Sequence, residues 1–154
     1  MFEKDELEGW LAGYEAREMD AWLAQHPGVI MPAELRRMWR TARYGRVGSK
    51  TETAVLEMRL GGRTSELEIL PLFRLEGRLG LHATSVDAVY ETTKPGVGAD
   101  YRPFMLDGLG NVLLWDASVV DGEVIFLDRT HWRAFSVCGH VGELRSLLKL
   151  APRY

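Results

Sequence analysis

Residues 101–128, YRPFMLDGLGNVLLWDASVVDGEVIFLD, set three apolar runs apart with two polar, glycine-containing stretches. The runs are Tyr101 to Leu106, Val112 to Trp115 and Val124 to Leu127. Each has strand length and is too short for an ordinary helix, so the spacing predicts a β-meander. Inside it, DGLGNVLLWD (107–116) raises a chemical question, because two glycines, an acid and an amide precede an apolar run. A phosphate cradle places its glycines after a strand and before a helix N-terminus, and here a strand follows. A calcium loop needs more oxygen ligands at alternating positions than Asp107 and Asn111 supply, and a closing glutamate. The local chemistry points instead to a turn that leads into a strand. Gly108 and Gly110 reach backbone conformations closed to larger residues, and Asn111 tolerates the left-handed region or bonds its own backbone.

Upstream, the pattern begins with helical spacing. Leu7, Trp10, Leu11 and Tyr14 recur at i, i+3, i+4, i+7, which predicts an added N-terminal helix over residues 1–16, and Met19, Trp22 and Leu23 continue it or begin another. His26-Pro27-Gly28 stops that pattern. In MPAELRRMWRTARYG (31–45), Pro32 falls in a first helical turn and Glu34 near the positive end of the dipole. Leu35, Met38, Trp39 and Ala42 form the buried stripe, and Gly45 and Gly48 end it.

From Thr51 the period moves toward two. Val55, Leu56, Met58 and Leu60, then Leu67, Ile69, Leu70 and Leu72, then Leu79, Leu81 and Ala83 read as strands, with turns at Gly61-Gly62 and Glu76-Gly77. Residues 92–100, TTKPGVGAD, have loop composition. After Gly139, Val141, Leu144, Leu147, Leu148 and Leu150 define a last amphipathic helix. Strands grouped between helices give an α+β class: N-terminal helices, a curved, mainly antiparallel sheet of about five to seven strands, and a C-terminal helix, in one domain over 1–154.

With 154 residues and 46% of them hydrophobic, the chain can bury one sizeable core. A net charge of −3 and a pI of about 5.8 provide no global positive field for nucleic acid or an anionic membrane. One cysteine, Cys138, excludes an internal disulfide. The acidic start MFEKDELEG is no secretion signal, and with no bilayer-length apolar span the expected location is the cytoplasm. GRVGSKT (45–51) is too short in spacing for a Walker loop. His131, Cys138 and His140 lack a fourth partner for a tetrahedral metal site, and Cys138 and His140 are too close in sequence for a nucleophile–base pair. No catalytic residue, metal or cofactor is expected.

Charge is unevenly spread. Residues 1–25 carry seven acids and two bases, and residues 26–50 carry six bases and one acid. Arg36, Arg37, Arg40 and Arg43 around Trp39 and Tyr44 have the residue types of a nucleic-acid surface. The adjacent acids make pairing with the first helix the preferred reading, so nucleic acid is not the expected partner. Residues 100–128 hold six acids and one base.

In their order, MPAELRRMWRTARYG (31–45), EILPLFRL (68–75), FMLDGLGNVLLWD (104–116), GEVIFLDR (122–129) and HVGELRSLL (140–148) resemble the SUKH superfamily, which includes fungal cell-wall regulators of the Smi/Knr type and many bacterial immunity proteins. Met31-Pro32 stands for the family's Leu-Pro, Tyr44-Gly45 for the helix exit, Asp107 to Asn111 for the glycine-rich lead into a strand, and Asp128 for the acid ending the next strand. The likeness covers residues 18–150. It departs at His140-Val141, where the family has Ser-Phe, and in the segment Asp5 to Glu15.

The resemblance implies a protein-binding module, in bacteria an immunity protein that neutralises a cognate toxin, often a nuclease. The alternative is an intracellular regulator or scaffold that uses the same groove. An inhibitor presenting carboxylates could occupy a basic nuclease cleft, which singles out Asp107, Asp116, Asp121, Glu123 and Asp128. Trp132, between His131 and Arg133, is the expected aromatic anchor, whereas Trp115 lies in an apolar run and reads as core.

Overall fold

A computed structural model describes residues 7–48, 51–60, 62–76 and 85–152. The chain runs β1 (Leu7–Ala12), α1 (Ala16–Ala24), α2 (Ala33–Thr41), β2 (Ala42–Val47), β3 (Glu52–Leu60), β4 (Arg63–Leu72), α3 (Val86–Val97), β5 (Tyr101–Asp107), β6 (Val112–Asp116), β7 (Val124–Asp128), β8 (Arg133–Cys138), α4 (Val141–Leu147) and β9 (Leu148–Pro152). The class is α+β, as the segregated pattern predicts, although among the described residues the sheet has nine strands where five to seven were expected. Among the described residues no helix is long and apolar enough to cross a membrane.

The meander forms where the sequence places it. β5, β6, β7 and β8 pair in order, all antiparallel. β4 joins this half to the rest: Ile69 and Leu72 pair with Asp107 and Met105 of β5, while β3 and β2 take successive lengths of the same strand. The β3–β4 hairpin closes at Leu60↔Arg63, with Gly62 in its turn at φ +85°. β1 then flanks β2, and β9 flanks β3.

Four consecutive residues of β6, Val112–Trp115, and four of β7, Val124–Leu127, are buried, so both faces of the sheet are covered there. Trp39 and Trp115 meet edge to face with centroids 6.0 Å apart, and Phe104 packs on Trp115 at 6.1 Å. Each indole keeps its polar end satisfied: Trp39 Nε1 donates to the Phe73 carbonyl (2.7 Å) and Trp115 Nε1 to that of Ile30 (3.0 Å). Leu35, Met38 and Trp39 of α2 are fully buried, as their spacing predicts, and α4 packs against β8, β9 and α2.

Several boundaries differ from the sequence reading, each for a non-local reason. Leu7–Ala12 is a strand, not the expected helix. Gly9 and Gly13 weaken helix propensity there, and two register shifts against β2 break the alternation that would have announced a strand. At Gly13 the chain passes so near the end of α2 that a Cβ would stand 1.9 Å from the Arg40 carbonyl oxygen. α2 stops at Thr41, and Ala42, although buried, is already extended (φ −152°, ψ 132°) because β1 and β4 offer pairing edges.

Much of the expected 92–100 loop belongs to α3. The Ser85 Oγ accepts from Ala88 N (3.0 Å), Val86, Val89, Tyr90, Thr93 and Val97 supply its inner stripe, and Pro95 is tolerated in the last turn before Gly98 (φ +93°). α4 ends at Leu147, and Leu148–Pro152 leaves as a strand to pair with β3. β8, with Phe135 and Val137 inward, was not anticipated. The strand expected at Leu79 to Ala83 lies outside the described residues, as does Gly77 of the turn before it.

Candidate functional site

The turn from β6 to β7 collects one group of acids. Asp116 Oδ1 accepts from the Ser118 backbone N–H (3.0 Å) and hydroxyl (2.6 Å), which folds the chain back on itself. Gly122 must be glycine, since a Cβ would stand 2.0 Å from the Asp116 carbonyl oxygen. Asp121, exposed and at φ +53°, tips the turn outward. Glu123 follows, its backbone carbonyl accepting from Asp116 N (2.9 Å). Because Tyr101 is opposite Asp116 in the β5–β6 register, its hydroxyl reaches Glu123 Oε1 at 2.6 Å.

That hydrogen bond, more than burial and the charges of Glu123, Asp116 and Asp100, pushes the Tyr101 phenol up to about 12. Burial does the same for Tyr14, also to about 12. In both cases the folded value lies above the ordinary 10.0, so the stabilisation is complete below pH 10.0 and is lost as pH rises through about 12. Ultraviolet titration of phenolate is expected to find both tyrosines delayed, and Glu123→Gln to return Tyr101 alone toward 10.0. If Tyr101 ionises near 10.0 in the parent chain, the Tyr101–Glu123 bond does not form in solution.

Beside these acids, the C-terminal end of α3 and the strands β7 and β8 enclose a groove of about 350 Å³. Gly96 and Val97 form one wall, Tyr101, Glu123 and Ile125 another, and Ala134, Phe135 and Ser136 the side along β8. Trp132 borders the groove at Gly96: a Cβ there would meet the indole at 2.5 Å, so only glycine admits the ring. The indole remains 50% exposed, and Trp132 sits at φ +50°, an uncommon conformation for a bulky residue. The preceding turn imposes it. Asp128 accepts from Thr130 N (2.9 Å), His131 N (3.3 Å) and, through Oδ2, pairs with His131 Nδ1 (2.9 Å). The His131 bond holds the Asp128 carboxyl below its ordinary range.

The six residues expected to bind a partner therefore separate. Asp116, Asp121 and Glu123 share one end of the meander with Asp100, which the sequence reading passed over, and Trp132 borders the groove. Asp128 lies at the opposite end of β7 and serves its own turn. Asp107 is a correction: at 4% exposure it is no surface acid. Its Oδ1 accepts from Leu109 N and Asn111 N, both at 2.8 Å, and its Oδ2 from Asn111 Nδ2 at 3.1 Å. Asn111 in turn accepts from Arg129 N at 2.9 Å, which ties the β5–β6 turn to the end of β7. Gly110 takes φ +85° as a turn glycine, whereas Gly108 is outside the left-handed region and a Cβ there would meet nothing closer than 3.8 Å.

Elsewhere the polar residues serve the fold. Arg36 pairs with Asp20 (2.7 Å) and Arg43 with Glu18 (3.5 Å), which joins α2 and β2 to the acidic face of α1. His26 stacks on Trp22 (3.9 Å) and meets Asp87 (2.8 Å), whose carboxyl burial pushes above its ordinary range. Arg102 lies flat on the Tyr90 ring at 3.5 Å. Cys138 Sγ donates to the His140 carbonyl (3.3 Å), and burial pushes the thiol up to about 11, which disfavours the thiolate a nucleophile or ligand requires. Among the described residues no three His, Cys, Asp or Glu side chains form a group able to hold a metal ion. No family model, curated protein or solved structure matches the chain.

Proposed function

We propose that this chain is a non-catalytic, cytoplasmic protein-binding module that holds a basic protein partner at the groove between α3 and β8, and that the partner is a toxin domain it neutralises. The observation that carries the reading is that Glu123 lines a groove, with Asp116 and Asp121 in the turn that leads to it, and that a half-exposed tryptophan stands against Gly96 of the facing wall. Such an arrangement joins an electrostatic guide to an aromatic anchor. The likeness of residues 18–150 to the SUKH superfamily supports the immunity role, and a nuclease, with a cleft made for phosphates, is the toxin class whose charge fits these acids. Nucleic acid is a poor fit for the same surface.

The test begins with capture of a partner by the tagged full chain from its source cells. The association rate of that partner is then compared for the parent and Asp121→Lys/Glu123→Lys chains. Complementary fields act mainly on encounter, so the double reversal is expected to slow association about tenfold or more at low salt, with the difference shrinking as salt rises. Equal rates at low salt would remove these acids from the interface and sink the reading.

A further inference from the structure

We infer that the partner is held as an added β-strand, an extended segment with basic side chains pairing along the free edge of β8. The inference rests on the protein-binding reading and goes past it in naming the conformation of the bound segment.

Sheet edges are templates for foreign strands, and folded proteins blunt them with bulges, lysine or proline. Among the described residues three strands are outermost, and they differ in that respect. The pairing of β1 with β2 is interrupted by two register shifts within six residues. β9, LKLAP, carries Lys149, exposed at the surface, and Pro152, which has no N–H to offer. β8, RAFSVC, contains neither lysine nor proline, and from Arg133 to Ser136 it pairs in unbroken register with β7, the shift coming only at Val137. Among the described residues no strand lies beyond it.

The groove supplies the side-chain recognition that such pairing needs. Ala134 and Ser136 are small and exposed, so they leave the floor of the groove unfilled. Alternation puts only every second side chain on one face of a strand. Ala134, Phe135 and Ser136 all border the groove, so the backbone of β8 is part of its wall. A strand laid on β8 would place an apolar side chain against Val97 and Ile125. Glu123, with Asp116 and Asp121 in the adjoining turn, selects lysine or arginine and repels an acidic segment. A second copy of this chain fits less well. Antiparallel self-pairing keeps each face continuous, and Arg133 shares the face of Phe135, away from that of Ala134 and Ser136, so it brings no cation to the acids.

The probe is an N-acetylated, C-amidated heptapeptide of sequence Lys-Thr-Val-Thr-Lys-Thr-Val, which puts lysine and valine on one face and threonine on the other, added to the isotopically labelled full chain and followed by amide NMR. Shifts and slowed exchange are expected at Arg133 to Ser136 and at the Trp132 indole. N-methylation along one edge of the peptide is expected to weaken binding about tenfold or more, methylation along the other edge to have little effect, and glutamate in place of lysine to abolish binding. Equal tolerance of methylation on both edges, shifts confined to other strands, or concentration-dependent dimerisation through β8 would each overturn the inference. The outcomes also separate the two readings. If Glu123→Lys weakens the peptide while methylation does not, edge pairing fails and protein binding at the groove survives. If the peptide leaves β8 unmoved and charge reversal leaves the natural partner's association rate unchanged, both fail.

Discussion

Trp115→Ala is expected to cost about 3–5 kcal/mol of folding stability, the range for deleting a large aromatic from a core. The indole is fully buried and is the ring on which Trp39 and Phe104 both pack. Its Nε1 also holds the Ile30 carbonyl, while Ile30 N donates to Ala117 (2.7 Å), so one side chain anchors the segment before α2 to the end of β6. Truncation would empty the space between two aromatics and leave a carbonyl with no protein donor. Denaturant unfolding should show a lower midpoint with an unchanged slope, and Trp115→Phe should recover the packing but not the hydrogen bond. A loss below about 1 kcal/mol would mean that the segment before α2 is held by other contacts.

Asp107→Ala should be the most damaging loss of an acid, at about 2–4 kcal/mol, because a carboxylate accepting several hydrogen bonds leaves its donors stranded when removed. Leu109 N, Asn111 N and Asn111 Nδ2 all depend on it, and through Asn111 so does Arg129 N. Asp121→Asn, in contrast, should change stability by less than about 0.5 kcal/mol, since the side chain is exposed and Asn tolerates positive φ equally well. The same unfolding measurement separates the two roles. Equal, small losses would deny the clasp, and equal, large losses would make Asp121 structural and unfit as a contact residue.

These two aspartates mark what could be read from the chain alone. Both occur beside glycine in turns flanking the same strand, with the same residue type and similar local composition. Whether a carboxylate folds inward onto its own turn or stands outward depends on backbone dihedrals and on what lies beneath, and Asp107 folds inward because Asn111 is fixed from below by β7. Trp115 and Trp132 were separable from sequence because one sits within an apolar run and the other between polar residues. The groove was not legible. Its walls come from α3, β5, β7 and β8, and the helix was obscured by Pro95, although Ser85 followed by Val86, Val89, Tyr90 and Thr93 carried a readable signal.

The sequence by itself determined the meander, the turns that bound it, the buried faces of α1 and α2, the Val141 and Leu144 contacts of α4 and the α+β class, since periodicity and turn chemistry act within a few residues. The tertiary structure alone decided that Leu7–Ala12, Ala42–Val47 and Leu148–Pro152 are strands and that β8 is, among the described residues, an outer edge. It also decided that Glu123 lines the groove and that Asp107 is buried. Strand identity in these short, irregular segments follows from the availability of a partner edge, and charge convergence follows from register, both of which are set by residues far apart in the chain.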